Sequence, residues 1–309
     1  MTEISVVIPI FNEEENIELL QNEIKEVCNK NNYKYEIIFV DDGSTDRTRS
    51  KIIQLSPVKY IRFRKNFGQT AALDAGIKKA QYKYIITMDG DRQNDPSDIP
   101  GLVKYLEEND LDVVSGWRNK RKDNLFKRIV SRGASLLRAL IISDGIHDSG
   151  CSLKIYKKEC FDHLNLYGEM HRFIPALLKI KGFKIGELVV NHRPRIAGKT
   201  KYNWRRTIKG FIDMIAIWFW KGFAVRPLHL LGGLGILCVG LGVAISILGV
   251  YLYVIGNALF RNILPILAAF LFLTGLQLFV FGLMADMLSK SYFETTNDTS
   301  YSIKEVIEN

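Results

Sequence analysis

Two long apolar stretches near the C-terminus restrict the chain more than any other feature. The first, Leu228 to about Ile255 ("LHLLGGLGILCVGLGVAISILGVYLYVI"), carries no charged residue, and the second, Ile263 to about Leu288, holds only Asp286 near its end. At roughly 26 to 28 residues, each exceeds the ~20 that a helix needs to cross a bilayer. A helical hairpin buried in a soluble domain is the competing reading, but soluble helices rarely run so long without a polar face. The connector "GNALFRN" is short, so both ends of the pair are expected on one side of a membrane. Lys209, Lys221 and Arg226 precede the first stretch and Lys290 follows the second, against a lone Arg261 in the connector. The positive-inside rule therefore predicts a cytoplasmic location for the large N-terminal part. The start, "MTEISVVIPIFNEEENI", has too short an apolar run for a signal peptide and reads as mature structure.

Up to about residue 116, short β-branched runs alternate with longer helical patterns. The strands are "ISVVIPI", "YEIIFVDD", "VKYIRF", "YIITMD" and "LDVVSG"; helices are expected over 13–30, 45–54, 69–81 and 97–108. Continuous apolar strands between amphipathic helices predict a Rossmann-like α/β fold, a mostly parallel sheet covered on both faces. Ligands of such sheets sit at the carboxyl ends of the strands. The polar clusters "FNEEEN", "DDGSTD", "RKNFGQT" and "DGDRQND" fall there. A basic segment over 118–142, a short strand "LKIY", a helical stretch near 170–181 and a strand "FKIGELVVNHRP" follow. Trp204, Trp218 and Trp220, interleaved with Lys and Arg, suit helices lying at a membrane surface. The expected division is a globular domain over 1–200, interfacial helices over 201–226, a transmembrane hairpin over 227–290 and a tail over 291–309.

The formal net charge is +9. For a membrane-attached domain this suits anionic lipid and phosphorylated ligands, and nothing in the chain points to nucleic acid. Cys28, Cys151, Cys160 and Cys238 lack metal-type spacing and are expected as core or lipid-facing thiols. Small residues at Cys238, Gly242 and Ser246 permit close helix contact, and oligomerisation is a reasonable expectation.

The sharpest chemical signal is "MDGDRQNDP". Asp89 and Asp91, one residue apart at a strand end, can aim two carboxylates at one point, a place for Mg²⁺ or Mn²⁺ with a diphosphate. Asp95, followed by Pro96 and Ser97, reads as a helix cap. No Walker-type or dinucleotide glycine loop is present. Asp41 or Asp42 is placed to accept from a base N–H or a ribose hydroxyl, whereas Ser44 and Asp46 read as turn and cap residues.

Taken together, "SVVIPIFNEEENI", "VDDGSTDRT", "NFGQTAALDAGI", "MDGDRQNDP", "SGWRNKR" and "HDSGCSLKIY" resemble family 2 glycosyltransferases of the GT-A type. With "GKTKY" and two membrane spans after them, the chain is similar to the polyprenyl-phosphate glycosyltransferases, a group that includes dolichol- and undecaprenyl-phosphate sugar transferases. The resemblance implies a GT-A catalytic domain that moves one sugar from a nucleotide-sugar donor to a polyprenyl phosphate at the cytoplasmic membrane face, with inversion. Candidate donors are UDP-glucose, GDP-mannose and a UDP-N-acetylhexosamine. It also implies that Pro9, Phe11, Glu13 and Asp41 hold the base and ribose, and that Asp89, Asp91 and Gln93 form the metal and diphosphate cluster. Arg118 and Arg132 would bind the acceptor phosphate, and Arg195 with Lys201 would close over the donor. Asp148 matches a carboxylate that is either catalytic or structural. Arg92 departs from the apolar residue expected inside the cluster.

A phosphate monoester with a second pKa of roughly 6 is nucleophilic at neutral pH without a protein base, so catalysis by positioning and charge is expected. Two other readings were weighed. A processive polysaccharide synthase needs more spans and a Q-x-x-R-W sequence that only "YNWRRT" approaches, and a non-catalytic membrane scaffold should have lost the acidic cluster.

Overall fold

The computed structural model describes residues 1–119, 145–162, 164, 166, 168, 170–194, 215, 218–219, 222–223, 226–255 and 263–296. The chain divides into two units, Met1–Ile215 and Ala216–Asn309. The first has seven strands among its described residues: β1 (Glu3–Ile10), β2 (Lys34–Asp41), β3 (Lys59–Arg62), β4 (Tyr84–Thr87), β5 (Val113–Trp117), β6 (Lys154–Lys157) and β7 (Ile185–Val189). Among the described residues, five α-helices accompany them: α1 (Ile17–Lys30), α2 (Thr48–Ile52), α3 (Gln69–Lys79), α4 (Ile99–Glu108) and α5 (Ile174–Ile180).

One sheet contains all seven strands in the order β3-β2-β1-β4-β6-β5-β7. The sheet is mixed. β6 pairs antiparallel with both β4 and β5, whereas every other pairing is parallel. Six of the seven strands run in one direction, in line with the expected mostly parallel sheet, and β6 is the exception. Because β6 runs against its neighbours, its first residue lies at the edge where the other six strands end. Lys154 is directly opposite Thr87 at the end of β4.

The period-two alternation of β1 explains the layering. Ile4, Val6 and Ile8 pack into one core with Ile17, Leu20 and Ile24 of α1 and Ile99 and Leu102 of α4. Val7 packs into the other with Ala72, Leu73 and Ile77 of α3 and Leu178 of α5. Burial on both faces leaves the strands mostly apolar, and the acidic and basic clusters lie at their ends. As expected, Asp95 caps the turn that opens α4, accepting from Ser97 N–H at 3.0 Å with Pro96 behind it.

In the second unit, α6 (Pro227–Val254) and α7 (Ile263–Thr296) are the two apolar segments. Windows within them have mean hydropathies of 2.4 and 2.3 and are only 11% buried, so both are long and apolar enough to cross a membrane. Glycines allow the backbones to approach: a Cβ on Gly235 would lie 2.6 Å from the Gly275 carbonyl oxygen, and one on Gly275 would lie 2.7 Å from that of Gly235. A Cβ on Gly242 would meet the Ala268 carbonyl at 3.3 Å, so this member of the small-residue stripe serves contact within the hairpin. Cys28, Cys151 and Cys160 are buried free thiols and Cys238 is partly exposed.

Gly76 shows how tightly α3 lies on the sheet. A Cβ there would meet Val7 Cγ1 at 2.4 Å and Val40 Cγ2 at 3.0 Å. Gly76→Ala is expected to cost about 1–3 kcal/mol, the usual penalty for overpacking a filled core. Chemical denaturation of the detergent-solubilised protein reads this directly, and unchanged stability would show that α3 has slack.

Candidate functional site

The loops at the carboxyl edge are fastened to one another before any ligand is considered. Asn12, with φ +57°, donates its N–H to Ser44 Oγ at 2.9 Å and accepts from Thr45 N–H at 2.8 Å. Glu13 N–H reaches Thr48 Oγ1 at 3.0 Å, and Asp46 accepts from Thr48 N–H at 3.0 Å and from Glu14 N–H at 3.3 Å. Ser44 and Asp46 are therefore turn and cap residues, as their sequence context suggests. Gly43, at φ +79°, lies so close to the next loop that a Cβ would be 2.7 Å from the Lys65 carbonyl carbon. Asp42 fixes the start of α3 by accepting from Phe67 N–H at 2.6 Å and Gly68 N–H at 2.9 Å.

Asp41 is fully buried. One oxygen accepts from Ser44 N–H at 2.7 Å, and the other accepts from Tyr60 Oη–H at 2.6 Å and lies 3.6 Å from Arg62 Nε.

The end of β4 supplies the acidic cluster. Asp89 accepts from Gln69 Nε2 at 2.8 Å, and its N–H donates to Asn94 Oδ1 at 3.1 Å. Asn94 Oδ1 also accepts from Ser152 Oγ at 2.7 Å, joining the cluster to the turn before β6. Asp91 is buried and accepts from Gln93 N–H at 3.2 Å. Desolvation, followed by the charge of Asp91, pushes the Asp89 carboxyl up from the ordinary carboxylate range, against the bond from Ser152 and the charges of Arg118 and Lys154. Two crowded carboxylates are oxygen donors of the kind a hard divalent cation takes, and Gln93 is tied to Asp91 through its backbone N–H. Among the described residues no group of three His, Cys, Asp or Glu side chains converges, so any such ion would rest on the Asp pair with Gln93.

Cations come from the neighbouring strands. Arg118, just past β5, forms a fork on Asp148, with Nε to Oδ2 at 2.7 Å and Nη2 to Oδ1 at 2.9 Å. Asp148 thereby fixes the direction of the guanidinium. Glu187 of β7 holds Asp148 in turn, accepting from Asp148 N–H at 3.0 Å and lying 2.8 Å from His147 Nδ1. The His147 ring stacks on Trp117 at 4.6 Å. Lys154, at the start of β6, is buried and donates to the carbonyls of Ser149, at 3.3 Å, and Cys151. Burial pushes its ammonium down from the usual lysine value.

One pocket brings part of this set together, with Asp91, Gln93 and Asp148 outside its lining. Pro9, Gln69, Asp89, Arg118, Lys154 and Arg172 are among its lining residues, with His171, which is 2.7 Å from Thr70 Oγ1. Of the residues named from sequence, Pro9, Asp89 and Arg118 line it. Glu13 sits beside the cluster, its Cγ 3.7 Å from where a Cβ on Gly90 would be. Phe11 follows directly on β1 and is partly buried. Arg132, Arg195 and Lys201, the basic segment over 118–142 beyond residue 119 and most of the interfacial stretch lie outside the described residues. Gln69, Lys154, His171 and Arg172 were not anticipated. A lysine interrupting the apolar run "LKIY" was the one available signal for Lys154, because a charge at a buried strand position needs a reason.

The profile of glycosyl transferase family 2 matches residues 5–164. The chain is 36% identical, over 99% of its length and 93% of the relative's, to dodecaprenyl-phosphate galacturonate synthase of Rhizobium johnstonii. It is 31% identical, over 98% of its length and 93% of the relative's, to undecaprenyl-phosphate 4-deoxy-4-formamido-L-arabinose transferase of Salmonella choleraesuis. Among solved structures, glucosyl-3-phosphoglycerate synthase from Mycobacterium tuberculosis in complex with Mn²⁺, UDP and phosphoglyceric acid aligns with a TM-score of 0.56 at 18% identity, over 71% of this chain and 78% of that one. Mannosyl-3-phosphoglycerate synthase from Rubrobacter xylanophilus aligns with a TM-score of 0.56 at 14% identity, over 72% of this chain and 74% of that one. At such identities these structures establish the common GT-A fold and nothing finer.

The raised Asp89 carboxyl makes a stability prediction. A group whose folded pKa lies above its unfolded value costs stability as pH rises from the unfolded value through the folded one. Asp89→Asn should therefore raise the melting temperature of the ligand-free protein at neutral pH, by about 2–4 °C for each kcal/mol relieved. The gain should vanish in acid below the ordinary carboxylate range. A lower melting temperature at neutral pH would mean that the Asp89 charge stabilises the fold.

Proposed function

The chain belongs to glycosyl transferase family 2, and we propose that it transfers a single sugar from a nucleotide-sugar donor to a polyprenyl phosphate at the cytoplasmic face of a membrane. One observation carries this reading: Asp89 at the end of β4 and Arg118 at the end of β5 line the same pocket. A metal and diphosphate position and a fixed cation for a second phosphate then share one cavity. Donor and acceptor are both anions, and bringing them together costs repulsion that such groups offset. The two apolar helices support a membrane location, which a polyprenyl tail requires.

In this reading Asp89, Asp91 and Gln93 hold Mg²⁺ or Mn²⁺, which when bound neutralises charge on the departing nucleoside diphosphate. Arg118, oriented by Asp148, draws the acceptor phosphate into line, and Arg132 is proposed to assist it. An acceptor phosphate oxygen forms the new bond to the anomeric carbon while the bond from that carbon to the diphosphate breaks, which inverts the centre. No side chain need remove a proton, because the acceptor is already ionised. Pro9, Phe11, Glu13 and Asp41 are proposed around the nucleoside, and Arg195 and Lys201 over the diphosphate. Asp148 acts as a positioning residue through Arg118. The expected donors were UDP-glucose, GDP-mannose and a UDP-N-acetylhexosamine. The names of the two relatives add a uronic acid and a formamido-pentose, so the donor panel must include both classes.

Membranes carrying the protein, incubated with labelled donors, undecaprenyl phosphate and Mn²⁺, should yield one labelled lipid bearing a single sugar. Repeated addition would indicate a processive synthase, and no product with any donor would leave the scaffold reading. Asp91→Ala or EDTA is expected to remove transfer by at least about 10²-fold while the protein still inserts and folds. Full activity under either condition would remove the metal from the account. Arg118→Ala should lower acceptor use with donor binding retained, and loss of donor affinity would reassign this arginine.

A further inference from the structure

Arg92, between the proposed ligands Asp91 and Gln93, adopts φ +60°, a left-handed conformation uncommon for a long side chain. Its guanidinium leaves the cluster and pairs with Glu23 of α1, a residue in none of the recognised motifs. Arg92 Nε is buried without a hydrogen-bond partner, so the placement is held against a local cost. The other oxygen of Glu23 accepts from Arg193 Nη1 at 2.7 Å. Arg193 also forks onto Asp95, with Nη2 to Oδ1 at 2.8 Å and Nε to Oδ2 at 3.2 Å. Its backbone N–H donates to the Gln93 carbonyl at 2.9 Å, and Asn94 forms an antiparallel bridge with His192. The two arginines and two carboxylates make a neutral quartet around the loop that carries Asp91 and Gln93.

From this network we infer that Glu23 is a positioning residue for the divalent-cation site, an inference that rests on the metal reading proposed above. Glu23 keeps occupied a guanidinium that otherwise sits one residue from Asp91. With the Glu23 charge removed, Arg92 becomes an internal competitor with the cation for the Asp89–Asp91 pair. Residues that orient metal ligands typically change metal affinity by about 10–100-fold when replaced.

The test is Mn²⁺ binding to the full-length protein in detergent, measured by loss of the free-Mn²⁺ electron paramagnetic resonance signal, alongside Mn²⁺-dependent transfer. Glu23→Gln is expected to weaken Mn²⁺ binding by about tenfold and to raise the Mn²⁺ needed for half-maximal transfer by the same factor, with kcat at saturating Mn²⁺ retained. The double variant Glu23→Gln with Arg92→Gln removes both charges and should recover most of the lost affinity, a coupling that a general packing defect would not produce. Wild-type affinity in a folded Glu23→Gln protein overturns the inference. So does a loss that Arg92→Gln fails to rescue. Absence of Mn²⁺ binding by the wild type overturns the metal reading itself, and the inference with it.

Discussion

Two carboxylates crowded at the end of a buried strand are the constraint to which the site is adjusted. Asp89 and Asp91 repel one another, and Asp89 is held where desolvation already works against its charge. Gln69, Asn94 and Ser152 supply a hydrogen-bonded frame around them without neutralising them. The nearest cations are committed elsewhere: Arg118 to Asp148, Arg92 to Glu23, and Lys154 to backbone carbonyls. Asp89, Arg118 and Lys154 nevertheless line one pocket, so the carboxylate and the two cations act on the same space.

The sheet makes that convergence possible. Strands buried on both faces exclude charge from the interior, and the inserted antiparallel β6 returns the chain to the reactive edge between β4 and β5. The turn preceding it carries Ser149 to Ser152 into the pocket, with Lys154 securing their carbonyls. β7, parallel to β5, contributes Glu187, which holds Asp148 and through it Arg118. Arg118 is thus set by three elements in succession.

Much of this was legible in the sequence because it depends on local pattern. The strand and helix periods placed the first five strands, the Asp-x-Asp spacing marked the cluster, and Asp-Pro-Ser announced the cap at Asp95. Partners remote in the chain were not legible. Glu23 meets Arg92 across 69 positions and Arg193 across 170, and no period or spacing links them. Arg92 looked anomalous because its partner lies on α1, outside every motif. The direction of β6 was hidden for the same reason: strand pairing is settled by tertiary packing, and four residues of "KIYK" read alike in either orientation. Asp41 likewise stands in a legible motif, but its partners Tyr60 and Arg62 come from β3 and no local pattern announces them.

We propose that the end of β4 holds a divalent cation facing the Arg118 side of the pocket. Anomalous diffraction from crystals of the protein grown with Mn²⁺ and a nucleoside diphosphate tests it most directly. One strong peak is expected at ligand distance from Asp91, beside Asp89, with diphosphate oxygens completing the shell. Nucleoside diphosphate bound in the pocket with no peak there, or a Mn²⁺ ion held by other residues, would contradict it.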